Sequence, residues 1–359
     1  MNGPVNRSAG ANYPFNSWYV AATSDEVGRR LLGRSLLGQD LVLFRQASGN
    51  VVALEDRCAH RSLPLSQGHL DGDVVVCRYH GFAYDGGGAC VRVPSQPQVP
   101  YGARVRAYLV HERRPFVWIW MGAPTASAPP RLPWLNDSGW ATCGGVLHVG
   151  ANYMLLQDNA LDLTHFPFVH PETSPYGYRA SPPPELDVEV TETSVSYRRE
   201  FPPARLAEWQ SRSTGLPADE NYVERESGTF VSPGVHVDFM DIVPNSPRDP
   251  TDTYRKVFVR GFTPETPTST HVFWQVARNY RVDDNDVTDH LHSIHVQSIL
   301  DDKPLLESIQ AVLDRSPWVE EFRVNADRAS LKAHQIVSMM LSEERGRTRV
   351  RPGFATAQG

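Results

Sequence analysis

Two cysteines and two histidines stand in two short arms: Cys58-Ala59-His60 and, after sixteen intervening residues, Cys77-Arg78-Tyr79-His80. Each arm offers one thiolate and one imidazole, a soft and a borderline ligand, so two loop tips can grip a compact metal centre from opposite sides. Zinc fingers and ribbons use arms of the CxxC or HxxxH kind, and this spacing departs from both. The donor set fits a [2Fe–2S] cluster in which two His replace two Cys on one iron. A mononuclear zinc site, or structural Cys and His without metal, are the competing explanations.

A second stretch, Asn152 to His170, carries Asn159, Asp162, His165 and His170. The first three fall at i, i+3 and i+6, close to one face of a helix. Pro167 should end that helix and let His170 swing back toward His165. Two imidazoles so placed are two legs of a 2-His-1-carboxylate iron site, which leaves positions open for oxygen. A lone His on such a segment is more often a structural residue. A pair that follows an acidic helix, in a chain already carrying the cluster arms, points to iron. Farther on, Asp301-Asp302-Lys303-Pro304 precedes Leu305, Leu306, Ile309, Val312 and Leu313, an apolar stripe at helical spacing. There the two acids have an ordinary use as helix caps, with Pro304 in the first turn.

The elements that must hold these groups read as follows. Residues 1–13 form a flexible tail. From Trp18 onward, short runs such as Leu41 to Phe44, Val51 to Leu54 and Val74 to Val76 are bounded by Gly, Asn and Asp and predict the strands of a small β domain over 14–122, closed by Phe116 to Trp120. The proline-rich stretch 123–133 predicts a stiff, extended linker rather than a packed element. A second domain over 134–342 alternates β-like runs, among them Asp187 to Val190, Thr229 to Val231, Arg255 to Arg260 and His271 to Trp274, which suggest an antiparallel sheet with helices against it. Trp318 to Leu341 reads as helical, and 343–359 as a charged, mobile tail.

At 359 residues the chain can bury a sizeable core in roughly two domains. Its 35 basic and 41 acidic side chains give a net charge of −6, which argues against nucleic acid as a partner. Cys90 and Cys143 have no evident reason to pair, and this usage suits a reducing cytosol. No run approaches the ~20 apolar residues of a membrane span, and the N-terminus lacks a secretory apolar core. The expectation is a soluble, cytoplasmic protein.

The two cluster arms, followed by Gly81-Phe82-Ala83-Tyr84-Asp85, resemble the Rieske domain of the Rieske non-haem iron oxygenases. The likeness extends from about Phe15 to about Ser342. It implies an α+β chain: a small all-β Rieske [2Fe–2S] domain, then a catalytic domain whose antiparallel sheet is flanked by helices in a helix-grip-like arrangement. Cys58, His60, Cys77 and His80 would bind the cluster. His165, His170 and Asp302 would bind a mononuclear Fe(II), with Asp301 as the fallback carboxylate. Asn159 matches a position near the iron. Asp162 is placed to accept the other ring N–H of His165, unless it is a plain solvated carboxylate. The resemblance also implies that it contacts a cluster-ligating His, here His80, of a neighbouring subunit in a head-to-tail homotrimer and so bridges electron transfer.

The runs NALDLTHFPFVH at 159–170, FTPETPTSTHVFW at 262–274 and DDK at 301–303 are similar to the aromatic O-demethylases of the vanillate and dicamba monooxygenase group. The implied activity is that of a terminal oxygenase component, which takes O2 and electrons from NAD(P)H through a separate reductase, with or without a ferredoxin. The chain has no flavin or nicotinamide fingerprint of its own. Oxidation of a small aromatic substrate by O-demethylation is the leading expectation. N-demethylation, methyl or ring hydroxylation and amine oxidation use the same iron ligands, and an electron carrier with an inert second domain is the alternative from another class. Asp238 and His271 fall where relatives place polar substrate contacts. An Asp at 238 would repel a substrate carboxylate, and His271 is equally readable as a structural strand residue. Arg57, Arg61 and Arg78 beside the cluster would steer an acidic reductase or ferredoxin, or are solvated loop charges.

Overall fold

Brief runs of Val, Leu and aromatic residues, cut by Gly, Asn and Asp, favour strands over helices through the first third of the chain. The computed structural model describes residues 13–123, 127–179, 184–231, 233–245, 252–318 and 321–349. Ten strands come first: β1 (Trp18–Thr23), β2 (Leu32–Leu36), β3 (Gln39–Arg45), β4 (Val51–Glu55), β5 (His69–Asp71), β6 (Val74–Val76), β7 (Ala83–Tyr84), β8 (Cys90–Arg92), β9 (Ala107–Arg113) and β10 (Phe116–Trp120). They make a six-stranded sheet, β1-β10-β9-β4-β3-β2, and a four-stranded sheet, β5-β6-β7-β8. Cys58 and His60 lie on the loop after β4. Cys77 directly follows β6, and His80 lies before β7.

The second half contains β11 (Ala141–Val149), α1 (Tyr153–Leu161), α2 (Phe166–Val169), β12 (Asp187–Val190), β13 (Ser194–Glu200), α3 (Glu208–Thr214), β14 (Tyr222–Val231), β15 (Val235–Pro244), β16 (Tyr254–Thr266), β17 (Ser269–Arg278), α4 (Asn285–Arg315) and α5 (Arg328–Arg349). Its seven strands pair in the order β11-β17-β16-β15-β14-β13-β12, antiparallel throughout. Alternation along the strands gives the sheet two covered faces. Val257, Val259 and Phe273 pack against Trp18, Val20 and Trp118 of the first domain. Phe262 and Val272 point the other way, into a core with Tyr153 and Leu155 of α1. The domains are also joined directly, by Leu37 N–H to Pro264 O and Gly38 N–H to Glu265 O, both 2.8 Å.

Several sequence expectations change. Residues 1–12 lie outside the described residues, but Tyr13 is buried in the core and packs edge-on to Phe15, so it is no part of a flexible tail. The proline-rich linker, as far as it is described, is tied down. Its carbonyls accept from Trp18 (to Ser127 O, 2.5 Å), Trp120 (to Ala123 O, 2.6 Å) and Arg113 (to Pro129 O, 2.6 Å). At the other end α5 runs through Arg349, and the Glu344 carboxylate accepts from the N–H groups of Phe15 and Asn16 at 2.9 and 2.6 Å. Residues 343–349 are therefore a helix that clasps the N-terminal segment, while 350–359 lie outside the described residues. The helical reading from Trp318 holds only from Arg328 onward.

The largest change concerns α4. It starts at Asn285, capped by the Asp284 side chain on Val287 N–H at 3.2 Å, and runs for 31 residues with Pro304 inside it. Asp301 and Asp302 are mid-helix residues, so their capping reading is wrong. A buried stripe of Val287, Leu291, His295, Leu306 and Gln310 packs on both sides of the proline and carries the helix past its missing N–H. Among the described residues no helix is long and apolar enough to cross a membrane.

Candidate metal centres

The first centre is built on two tight turns. Ser62 N–H donates to Cys58 O (2.9 Å), and Gly81 N–H to Cys77 O (3.0 Å), so each arm folds back on its cysteine. Gly81 takes a left-handed φ of 70°, and a Cβ there would stand 2.8 Å from Pro94 Cγ, so both conformation and space call for glycine. Cys58 and Cys77 are buried. The imidazoles of His60 and His80 are exposed, with ring centroids 4.6 Å apart, and His60 stacks on Phe82. Burial pushes the Cys77 thiol up, and neighbouring Cys58 adds to this while the N–H groups of Tyr79 and His80 pull it down. A buried sulfur pair and an exposed nitrogen pair suit a two-iron cluster with one iron on each side. Tyr84 completes the sulfur side: its hydroxyl accepts from Ala59 N–H (3.0 Å) and lies 3.1 Å from Cys58 Sγ.

The second centre departs in detail from the helical reading of its sequence. Asn152 caps α1 by accepting from Met154 N–H at 2.9 Å, and α1 ends at Leu161. Asp162 is extended, with φ −123° and ψ 97°, and its carboxylate caps the next turn by accepting from Thr164 N–H at 2.9 Å. Pro167 therefore does not end a helix; it sits in the first turn of α2, where proline is tolerated. His165 Nδ1 lies 2.7 Å from the main-chain oxygen of Asp162, so the carbonyl rather than the expected carboxylate orients the ring. On the other side of His165, Nε2 is 3.4 Å from Asn159 Nδ2.

His165, His170 and Asp302 each offer one ligand atom, all within 4.8 Å of one another, and could hold a metal ion. Asp302 Oδ1 is 3.1 Å from His170 Nε2 and 3.6 Å from His165 Nε2. Asp301 does not join this set; it lies 3.4 Å from His170 Nδ1 and accepts from Gln297 Nε2 at 2.7 Å. Burial lowers the pKa of His165. Burial would lower that of His170 too, but Asp302 and then Asp301 raise it overall. His170 Nε2 and Asp302 Oδ1 are both buried without a hydrogen-bond partner, a costly arrangement that a cation between them resolves. Two imidazoles and one carboxylate fit non-haem iron with open positions.

Beside this centre, the facing sides of α4 and the sheet are only partly buried. On the sheet-facing stripe of α4, His295 and Leu306 are buried, while Ser298, Ile299 and Asp302 between them keep solvent contact. Opposite, Lys256 and Phe258 also keep solvent contact, although β16 is an interior strand. Asp238 faces this side and is fully engaged. It accepts from Tyr197 Oη (2.7 Å), lies 2.8 Å from His236 Nε2 and forms an ion pair with Arg260. Burial would raise its pKa, but Arg260 and His236 hold it well below the usual carboxylate range. The expected repulsion of a substrate carboxylate by Asp238 is thus cancelled by Arg260. His271 does not join the site. It points to the opposite sheet face from Val272, and its Nε2 is 3.2 Å from Ser35 O at the domain seam.

Sequence reasoning passed over Tyr84 at the cluster, and over Arg199, Glu224, Glu226, Arg260 and the part-buried Lys256 along the sheet. Arg199 pairs with Glu226 at 2.9 Å, and the Tyr178 hydroxyl donates to Glu226, with the Tyr178 ring 5.1 Å from Phe166 beside the iron-ligand turn. The available signal was alternating charge in strands that are otherwise apolar. Arg57 of the cluster loop is paired with Glu55 at 2.8 Å, while Arg61 and Arg78 are exposed.

Residues 17–108 match the Rieske [2Fe-2S] domain, and residues 149–343 match the vanillate O-demethylase oxygenase C-terminal domain. The toluene-4-sulfonate monooxygenase system iron-sulfur subunit of Comamonas testosteroni is 32% identical over 93% of this chain and 98% of its own. Dicamba O-demethylase, oxygenase component, from Stenotrophomonas maltophilia is 34% identical over 82% of this chain and 87% of its own. The crystal structure of dicamba monooxygenase bound to 3,6-dichlorosalicylic acid superimposes with a TM-score of 0.86 at 29% identity, covering 93% of this chain and 99% of that one. A structure of the same enzyme with non-haem iron and dicamba gives a TM-score of 0.80 at 28% identity, over 93% and 98%.

Proposed function

This chain belongs to the Rieske non-haem iron oxygenases, with the C-terminal domain of the vanillate O-demethylase group, and within that family we propose that it demethylates a single-ring aryl methyl ether. It is an oxidoreductase, the oxygenase component of a multicomponent monooxygenase that receives electrons from a reductase. Its cofactors are a Rieske cluster and non-haem iron. When bound, the cluster supplies single electrons and the iron activates O2.

The observation that carries the reading is the convergence of His165, His170 and Asp302 on one point, in a chain that also presents a paired-Cys, paired-His loop cradle. In this reading Cys58, Cys77, His60 and His80 hold the cluster, and His165, His170 and Asp302 hold the iron. The main-chain carbonyl of Asp162 and the carboxylate of Asp301 fix the two imidazoles, and Asn159 borders the iron. As the resemblance to the family implies, the Asp162 carboxylate bridges to His80 of the partner subunit in a homotrimer. An intact iron-ligand set leaves the electron-carrier alternative without support. Two electrons, two protons and O2 enter; one oxygen atom goes to the methyl carbon and the other leaves as water. The resulting hemiacetal collapses to a phenol and formaldehyde. The partly buried faces of α4 and the sheet beside the iron site would hold the ring there and limit water. A reducing cytosol suits such a cluster.

The test is metal and acid-labile sulfide analysis with EPR of the reduced protein, followed by a formaldehyde assay across methoxy-aromatic, N-methyl and amine substrates with a reductase. About three irons and two sulfides per chain, the sum of one two-iron cluster and one mononuclear iron, with formaldehyde from an ether, support it. O2 uptake confined to amine or ring oxidation would replace demethylation with that chemistry.

A further inference from the structure

Three rings meet at the second centre, and one of them offers no ligand atom. The ring of Phe166 stands 5.0 Å from that of His165 at 80° and 5.3 Å from that of His170 at 86°, while the two imidazoles are 5.4 Å apart at 71°. Each pair is edge-to-face, an arrangement that aromatic rings prefer. Hydrogen bonding alone leaves the imidazoles free to tilt. A contact at Nδ1 fixes one ring atom and lets the plane turn about it. For His170 that contact, to Asp301, is 3.4 Å, longer than the ~3.2 Å limit of an ordinary N–H···O bond. The Phe166 ring, edge-on to both imidazoles, blocks the turn.

Phe166 is in turn held from the sheet. Its ring packs on Tyr178, 5.1 Å away and tilted by 39°, and Tyr178 lies 4.9 Å from Phe201. Gly177 permits this approach, since a Cβ there would stand 2.7 Å from the Phe201 ring. The Tyr178 hydroxyl donates to Glu226 and accepts from Arg199 Nη2 at 2.8 Å, and Arg199 Nε donates to Glu226 at 2.9 Å. The guanidinium also lies over both rings, 4.8 Å from Tyr178 and 5.1 Å from Phe201. Arg199 and Glu226 face each other in the register of β13 and β14, and both are buried, as is Tyr178. A buried ion pair adds little net stability, because desolvation offsets its attraction. This one fixes where the Tyr178 hydroxyl sits.

We propose that Phe166 is a positioning residue for iron binding: it sets the planes of His165 and His170, and Tyr178, Arg199 and Glu226 fix it to the sheet. Phe166 itself offers no atom to the metal and acts through the two imidazoles, whose orientation decides how well their lone pairs converge. The proposal rests on the iron site being at His165, His170 and Asp302.

The experiment is titration with Co(II) of the cluster-loaded protein stripped of mononuclear iron. Affinity is one readout, and the Co(II) EPR spectrum, taken with the cluster oxidised and EPR-silent, is the other. Phe166→Leu keeps an apolar side chain and removes the ring; it should bind Co(II) roughly tenfold or more weakly and change the spectrum. Tyr178→Phe keeps the ring contact and releases the anchor, so its spectrum should shift the same way with a smaller loss of affinity. A residue that merely filled the core would lower the melting temperature and leave the bound metal's spectrum unchanged. Wild-type affinity and spectrum in Phe166→Leu would overturn the proposal. Should that variant lose the cluster's visible spectrum, the same result in Tyr178→Phe overturns it instead. His165→Ala tests the site itself: Co(II) bound there at wild-type strength would sink the iron-ligand reading, whereas its loss there beside an unaffected Phe166→Leu would sink the role of Phe166 alone.

Discussion

His165 is oriented by donating from Nδ1 to the main-chain carbonyl of Asp162 at 2.7 Å, and the Asp162 carboxylate is thereby left to cap Thr164 N–H at 2.9 Å. One residue thus holds a ring of the proposed iron site with its backbone and a turn with its side chain. The carboxylate's second oxygen remains for the proposed contact with the partner subunit.

Asp162→Asn preserves both local duties, because an amide oxygen caps as well as a carboxylate. It should keep cluster, iron and melting temperature while slowing cluster-to-iron electron transfer in a single-turnover stopped-flow experiment. Unchanged transfer would remove the bridging role. Asp162→Ala should in addition lose about 1 kcal/mol of stability with the cap.

His165→Ala removes one of the three converging ligands and leaves the cluster arms untouched. Turnover should vanish and mononuclear iron be lost, while the cluster's visible spectrum persists. Disappearance of the cluster spectrum would mean the two sites are assigned to the wrong metals.

Tyr84→Phe deletes the hydroxyl 3.1 Å from Cys58 Sγ. A hydrogen bond to a ligating sulfur favours the more negative, reduced cluster. Protein-film voltammetry should therefore find a lower midpoint potential in the variant, with iron and sulfide content unchanged. An equal or higher potential would show that this hydroxyl does not tune the cluster.

Burial raises Glu224 from its ordinary 4.5 to about 7, so the folded chain binds this proton more tightly than the unfolded chain. Its contribution is fully present below about pH 4.5 and is lost as pH rises through 7, on the order of 3 kcal/mol in all. Lys256, lowered from 10.5 to about 8, acts in the opposite sense higher up, and its burden lifts as pH climbs from 8 toward 10.5. Melting temperatures of wild type and Glu224→Gln, measured from pH 5 to 8, should diverge, with only wild type carrying the Glu224 decline. Parallel curves would show that Glu224 ionises freely.

The cluster arms were legible because each ligand pair sits within four residues of chain, where covalent spacing alone sets which side chains can meet. His165 and His170 were legible for the same reason. The path between them was not: the chain breaks at Asp162 because a side-chain cap competes with the helix, and Pro167 then starts a turn instead of stopping one. The start of α4 was misread because Asp301 and Asp302 before Pro304 look like a helix beginning, whereas packing of Leu291, His295 and Leu306 carries one helix straight through the proline.

The sequence by itself determined the β-rich first half, the two Cys/His arms, the pairing of His165 with His170 and the oxygenase family, all of which depend on local spacing and strand alternation. Only the tertiary structure decided that Asp302 rather than Asp301 meets the histidines, that a carbonyl orients His165, that Arg260 neutralises Asp238, and that His271 faces the domain seam. The reason is physical. Helix rotation settles which of two adjacent acids points inward, main-chain groups have no letter of their own, and strand register brings residues far apart in the chain onto one face.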